Sequence, residues 1–201
     1  MAVAYEKADV RRRQLVAAAR AVLGRDGMGG GTLRAVAAEA GVPLGTVHYI
    51  FKTKEQLLRA VLEDVLEQVG AVIAGSPRGS ADFGTSMRSS AVEVWSKLVE
   101  QDTGEQIMQY ELTIWALRTA GMEDLARWQY QLYIDTLTVR WQKAAARAKV
   151  TLAASPEQLA RLLLAGIDGL ILQYLALRDA ERAKADIDAL VEQLVRYATD
   201  D

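Results

Sequence analysis

Apolar residues recur at helical spacing through almost the whole of this chain, and nowhere do apolar and polar residues alternate long enough to make a strand. Glycines, prolines and short polar clusters cut that periodicity into pieces. The first piece runs from Asp9 to Arg25, with Leu15, Val16, Ala19, Val22 and Leu23 in helical register, and "GRDGMGGG" ends it. A second, "TLRAVAAEA", begins at Thr32; a third, short one reaches from Pro43 to about Phe51; a fourth covers roughly 54–74 and stops at "AGSPRGS". Five more are readable at about 80–101, 104–119, 122–148, 156–178 and 183–199, separated by Gly104, Gly121, Ser155-Pro156 and the Asp179–Arg182 turn. The expectation is an all-α chain of about nine helices. A three-helix head over 1–53 is joined by a long helix to a helical body over 54–201.

Composition agrees with that reading and narrows the function classes. Only 3 prolines occur in 201 residues, and 51% of the chain is hydrophobic, enough for a sizeable helical core. With 0 cysteines, neither a disulfide framework nor a thiolate metal site is possible, which suits a reducing cytoplasm. The N-terminus shows no signal-peptide pattern, and the apolar stretch around Leu162–Leu172, interrupted by Asp168, falls short of the ~20 residues of a membrane span.

Charge is divided unevenly. Residues 1–54 carry nine Lys/Arg against four acids, a net of +5, whereas the remainder carries 15 against 22, a net of −7. A basic head on an acidic body directs a polyanion to the head. Within it, "GVPLGTVHYIFKTKEQLL" (41–58) has the form of a helix-turn-helix. Gly41 supplies the left-handed turn, and Val47 and Phe51 lie one turn apart to pack inward. Thr46, His48 and Tyr49 then point mostly outward, with Leu44 and Gly45 at the helix N-terminus, the end that meets base edges. Gly45 permits close backbone approach, and Lys54 suits a phosphate. Arg11, Arg12 and Arg13 serve equally as phosphate contacts or as a solvated basic run.

The stretch "TLRAVAAEAGVPLGTVHYIFKTKEQLL" resembles the DNA-binding segment of the TetR family of bacterial transcription regulators, through the turn glycine, the Gly-Thr pair, Tyr49, Phe51 and Lys54-Glu55. The resemblance implies that Arg34 reaches a base or phosphate, with Thr32 near the DNA backbone. Leu44, Gly45, Thr46 and Tyr49 would face the major groove, and Lys54 would bind phosphate. His48 stands where the family usually has tyrosine, Ile50 where it often has histidine, and Pro43 where serine is common. His48 retains a donor for a phosphate and Ile50 does not. The resemblance further implies a homodimer on a palindromic double-stranded operator, most often as a repressor, released by a small-molecule effector.

All 4 tryptophans lie in the body. Trp95, Met108, Trp115 and Trp128, with Glu111 as a polar partner, are the candidate lining of an effector site for an apolar or aromatic molecule; an ordinary core uses the same aromatic stripe. "LARLLLAGIDGLILQYLAL" (159–177) is apolar around much of its circumference and needs partners on several sides. Leu162, Gly166, Gly169 and Leu170, with Leu190 and Leu194 of the last helix, are the expected dimer contacts. Two other classes stand beside this reading: a DNA-binding protein without a ligand, and an all-helical enzyme. Against the enzyme, the only histidine lies in the head, so the body has no histidine-based triad or metal cluster, and "GMGGG" lacks a phosphate loop's Lys-Ser/Thr ending. No cofactor and no metal are expected.

Overall fold

A computed structural model describes residues 2–75, 82–100 and 102–199, the side chains of 2–8 excepted. The described residues contain nine α-helices and no strand: α1 Ala2–Gly30, α2 Leu33–Glu39, α3 Leu44–Ile50, α4 Lys54–Gly75, α5 Phe83–Trp95, α6 Thr103–Arg118, α7 Glu123–Ala148, α8 Pro156–Leu177 and α9 Ala180–Thr199. A π-helical turn, Ser96–Glu100, continues α5.

Several boundaries differ from the expected ones, each for a local reason. The first helix breaks at Gly27 (φ 68°, ψ −178°), inside the glycine run expected to end it, and a short helical piece carries α1 on to Gly30. Pro43 precedes α3 as an extended cap residue, and the helix starts at Leu44. The segment expected over 80–101 is helical from Phe83 to Trp95 and then widens into the π turn; residues 80, 81 and 101 lie outside the described residues. The start of α9 comes three residues early, since the Asp179 carboxylate accepts the Arg182 N–H at 3.0 Å and caps the helix from Ala180. By length and composition α8 is long and apolar enough to cross a membrane, contrary to the expectation from its sequence run. Its Leu159, Ala160, Leu163 and Ile171 are nevertheless buried against protein.

The chain forms two compact units, residues 1–67 with 104–127, and residues 68–103 with 128–201. Both α4 and α7 therefore contribute to each. In the first unit, Leu15, Ala19, Val22 and Leu23 of α1 are buried, as are Val36 and Ala37 of α2, Val47 of α3 and Phe51. Leu57, Leu58, Val61 and Leu62 of α4 and Met108, Leu112 and Ala116 of α6 are buried too. An internal cation ties three helices: Arg20 of α1 pairs with Asp64 of α4 at 2.5 Å and with Glu105 of α6.

In the second unit α9 packs on α5 and on α8. Ala183, Ile187, Val191, Leu194 and Ala198 make its buried stripe at helical spacing. Asp82 caps α5 by accepting the Thr85 N–H, and the Thr85 hydroxyl first, then that N–H, hold its carboxyl below the usual range. Ser155 caps α8 with Pro156 in the first turn, where its missing N–H costs nothing. Phe83 meets Trp141 at 5.5 Å and Trp95 meets Tyr174 edge-on at 5.6 Å.

Candidate nucleic-acid interface

The turn between α2 and α3 follows from Gly41. Its φ of 63° is left-handed; its N–H donates to Ala38 O at 3.1 Å, and the Val42 N–H donates to Ala37 O at 3.0 Å. Those two bonds close a Schellman motif, which ends α2 abruptly and lets α3 leave at an angle. α2 is capped by Thr32, whose Oγ1 accepts the Ala35 N–H at 3.1 Å. Gln14 of α1 donates to the Ala40 carbonyl at 2.8 Å, fixing α2's last turn to the first helix.

α3 has one face inward and one outward. Val47 and the following Phe51 are buried, and the Arg12 guanidinium lies over the Phe51 ring at 5.5 Å. Arg12 also reaches Glu63 at 3.7 Å, so within the arginine triplet it helps to pack the head. On the opposite face Tyr49 is 84% exposed and His48 is exposed. Leu44 and Thr46 are half-buried, and Gly45 has open space where a side chain would begin. An exposed tyrosine over a well-packed inner face is what a reading helix requires: a rigid base and a projecting donor and ring.

Around α3, Arg34 projects from α2 and is exposed. Thr53 begins α4 by accepting the Gln56 N–H at 3.3 Å, and Gln56 returns a bond from the Lys52 N–H at 3.0 Å. This reciprocal arrangement resembles a capping box. The Glu55 carboxyl is held below its usual range, first by its own backbone N–H and then by the Thr53 hydroxyl. Lys54 Nζ donates to the Met28 carbonyl at 3.0 Å, leaving two of its three protons for a phosphate. Sequence reasoning missed this second duty, because nothing in the spacing of 28 and 54 announces it.

The residues singled out for an effector fall in different places. Met108 is buried and Trp115 half-buried on α6, in the first unit. Trp95 is buried in the second unit, with an indole N–H that has no acceptor among the described residues, and Trp128 there is 41% exposed. Glu111 has an intramolecular partner: its Oε2 accepts the Met28 N–H at 3.1 Å. The second unit also holds a half-buried cation, Arg140, which donates to the Ile73 carbonyl at 3.0 Å and to Ser90. Burial lowers its affinity for its proton.

Of the residues named for dimerisation, Leu194 is buried and Leu190 half-buried within the chain. Gly166 faces Leu190 of its own chain, so the close helix approach it permits includes α9, whereas Gly169 has open space before it. Leu162, half-buried Leu170, Leu172 and Leu177 give α8 its outward apolar character, with exposures of 43%, 55% and 57% for the first, third and fourth.

A three-helix head with a Schellman-turned helix-turn-helix, a packed inner face and an exposed tyrosine-bearing outer face defines a DNA-binding protein of the all-α class. Comparison with known proteins makes the assignment specific. The family model described as "Bacterial regulatory proteins, tetR family" matches residues 15–61, and "Tetracyclin repressor-like, C-terminal domain" matches 86–197. The chain belongs to the TetR family and is a ligand-responsive transcriptional regulator.

Among its relatives, the HTH-type nicotine-responsive transcriptional repressor HdnoR of Paenarthrobacter nicotinovorans is 34% identical over 90% of this chain and 92% of its own. The multidrug binding protein EbrR, solved with ethidium, superposes with a TM-score of 0.67 at 31% identity, covering 90% of this chain and 98% of that one. EbrR has also been solved with imidazole, malachite green and proflavin. A transcriptional regulator from Rhodococcus shares the fold, with a TM-score of 0.78 at 22% identity over 94% of this chain and 97% of that one.

Proposed function

We propose that the protein is a cytoplasmic repressor that binds a palindromic operator as a homodimer and leaves it when a small aromatic molecule binds the helical body. The observation that carries the DNA half is the outer face of α3, where Tyr49 stands 84% exposed beside His48 over a buried Val47 and Phe51. Leu44, Gly45, Thr46 and Tyr49 read base edges; Thr32, Arg34, His48 and Lys54 hold phosphates. The dimer forms through the outward face of α8, where Leu162, Gly169 and Leu172 recur at helical spacing.

For the effector, the relatives supply the chemistry. Nicotine, ethidium, proflavin and malachite green are all aromatic nitrogen compounds, and such a molecule suits a body that carries all 4 tryptophans. Trp95 and Trp128 of the second unit are the candidate lining, with Met108 and Trp115 of the first as separate candidate contacts. The effector displaces operator by no more than its differential affinity for the DNA-incompetent state.

Selection of duplexes from a random library tests this reading. It should recover a palindrome whose half-sites lie about 34–36 Å apart, one DNA turn or a multiple of it. Aromatic amines added to that complex should then release it. Enrichment of no sequence would overturn the operator assignment, and release by none of the amines would overturn the effector class.

A further inference from the structure

We infer that Glu111 is a positioning residue for DNA reading: from α6 its carboxylate holds the backbone at Met28, at the entry to the helix-turn-helix. The inference rests on the reading of α2 and α3 as the DNA-contacting helices.

The connection starts at Gly27, whose φ of 68° with ψ near 180° belongs to a region open essentially to glycine alone. There α1 loses its regular path, and the next residue exposes backbone groups that a continuous helix would have satisfied. Both polar groups of Met28 are taken up by charged side chains from other helices. Its N–H donates to Glu111 Oε2 at 3.1 Å, and its carbonyl accepts Lys54 Nζ at 3.0 Å. A Cβ at Gly27 would stand 3.6 Å from each Glu111 oxygen, so the carboxylate lies directly against the bend. Four residues after Met28, Thr32 caps α2.

A second grip lies on the same two helices. Glu105, six residues earlier on α6, pairs with Arg20 of α1, which also holds Asp64 of α4. Six residues are about 9 Å of helix. α6 thus holds α1 before the bend through Arg20 and after it through Met28. Fixed at both places, the bend delivers the chain to Thr32 in one geometry, and α2 and α3 inherit it through the Gly41 turn. Met108 and Trp115 stand on the same helix, so displacement of α6 pulls directly on the head.

Two features distinguish positioning from mere stability. The bond needs an acceptor rather than a charge, so Glu111→Gln should keep it, while Glu111→Met keeps the volume without an oxygen acceptor. A duplex enriched by the wild-type protein is the probe, with a scrambled duplex beside it. Hydrogen exchange of the peptide covering residues 26–32 reports the backbone directly.

The expected result is that Glu111→Gln binds the enriched duplex within about twofold of wild type and Glu111→Met about tenfold more weakly, a modest coupling of the usual size. Exchange at 26–32 should rise in the Met variant alone, and scrambled-duplex affinity should stay equal in all three. Should Glu111→Met fail to fold, Glu111→Ala takes its place, and exchange in Glu111→Gln still has to match wild type. Wild-type affinity in the Met variant would overturn the inference while leaving the DNA reading intact, as would a Gln variant as weak as Met. If the wild-type protein enriches no duplex, the DNA reading falls and the inference falls with it.

Discussion

Leu190 fills the space that a side chain at Gly166 would need: a Cβ there would stand 2.5 Å from its Cδ2 and 2.8 Å from its Cδ1. The glycine therefore sets how closely α8 and α9 approach within one chain. At Gly169, three residues on, a Cβ meets nothing within 4 Å.

The two glycines should consequently fail differently. Gly166→Leu overpacks the α8–α9 contact and should lower stability by about 1–3 kcal/mol, read from a urea midpoint. Gly169→Leu should leave the midpoint nearly unchanged at fixed fold and instead shift the monomer–dimer balance, read by light scattering. Equal stability losses in both would place Gly169 inside the core.

Tyr130 makes a pH test. Its hydroxyl donates to Asp168 at 3.0 Å, and burial first, then the Asp168 charge, pushes its pKa up to about 12. A raised folded-state pKa favours the neutral phenol, so the contribution is present below about pH 10 and lost as pH rises toward 12. Spectrophotometric titration should show one phenol ionising late, and Asp168→Asn should move it part of the way down. An unchanged midpoint in that variant would mean that burial alone sets it.

Lys54 separates two duties. If Nζ holds a phosphate as well as the Met28 carbonyl, Lys54→Ala should weaken all duplexes alike and reduce the salt slope by about one. A weakened affinity with an unchanged slope would assign Lys54 to the Met28 carbonyl only.

Much of the head was legible from residue order because its signals are local. Gly41, Thr32 and Thr53 act on neighbours within a few residues, so their turn and caps could be read directly, as could the inward Val47 and Phe51. The body's lining was less legible. Whether Glu111 meets solvent, ligand or backbone depends on Met28, 83 residues away, and no periodicity encodes that pairing. The same holds for Gly166, whose neighbour is chosen by the packing of α8 on α9. Short-range chemistry fixed where helices begin; long-range packing decided what their faces meet.

The effector reading predicts a division among the tryptophans. Trp95 and Trp141 are buried, and Trp128 is 41% exposed, so an aromatic amine that lodges beside Trp128 should quench part of the emission. Trp128→Ala or Trp115→Ala should leave operator affinity within about 0.5 kcal/mol while weakening release by the amine. Quenching without operator release would sever the ligand from the switch.

The central claim is that the outer face of α3 reads sequence, and the most direct measurement is the ratio of affinities for the enriched palindrome and its scrambled counterpart, in wild type and in Tyr49→Ala. Wild type should favour the palindrome by ~10³-fold or more, as specific binders do. Tyr49, exposed and outside the core, should be removable without loss of thermal stability, and its loss should take about 1–3 kcal/mol from that preference. A Tyr49→Ala protein that folds as wild type does and keeps the full preference would contradict the account.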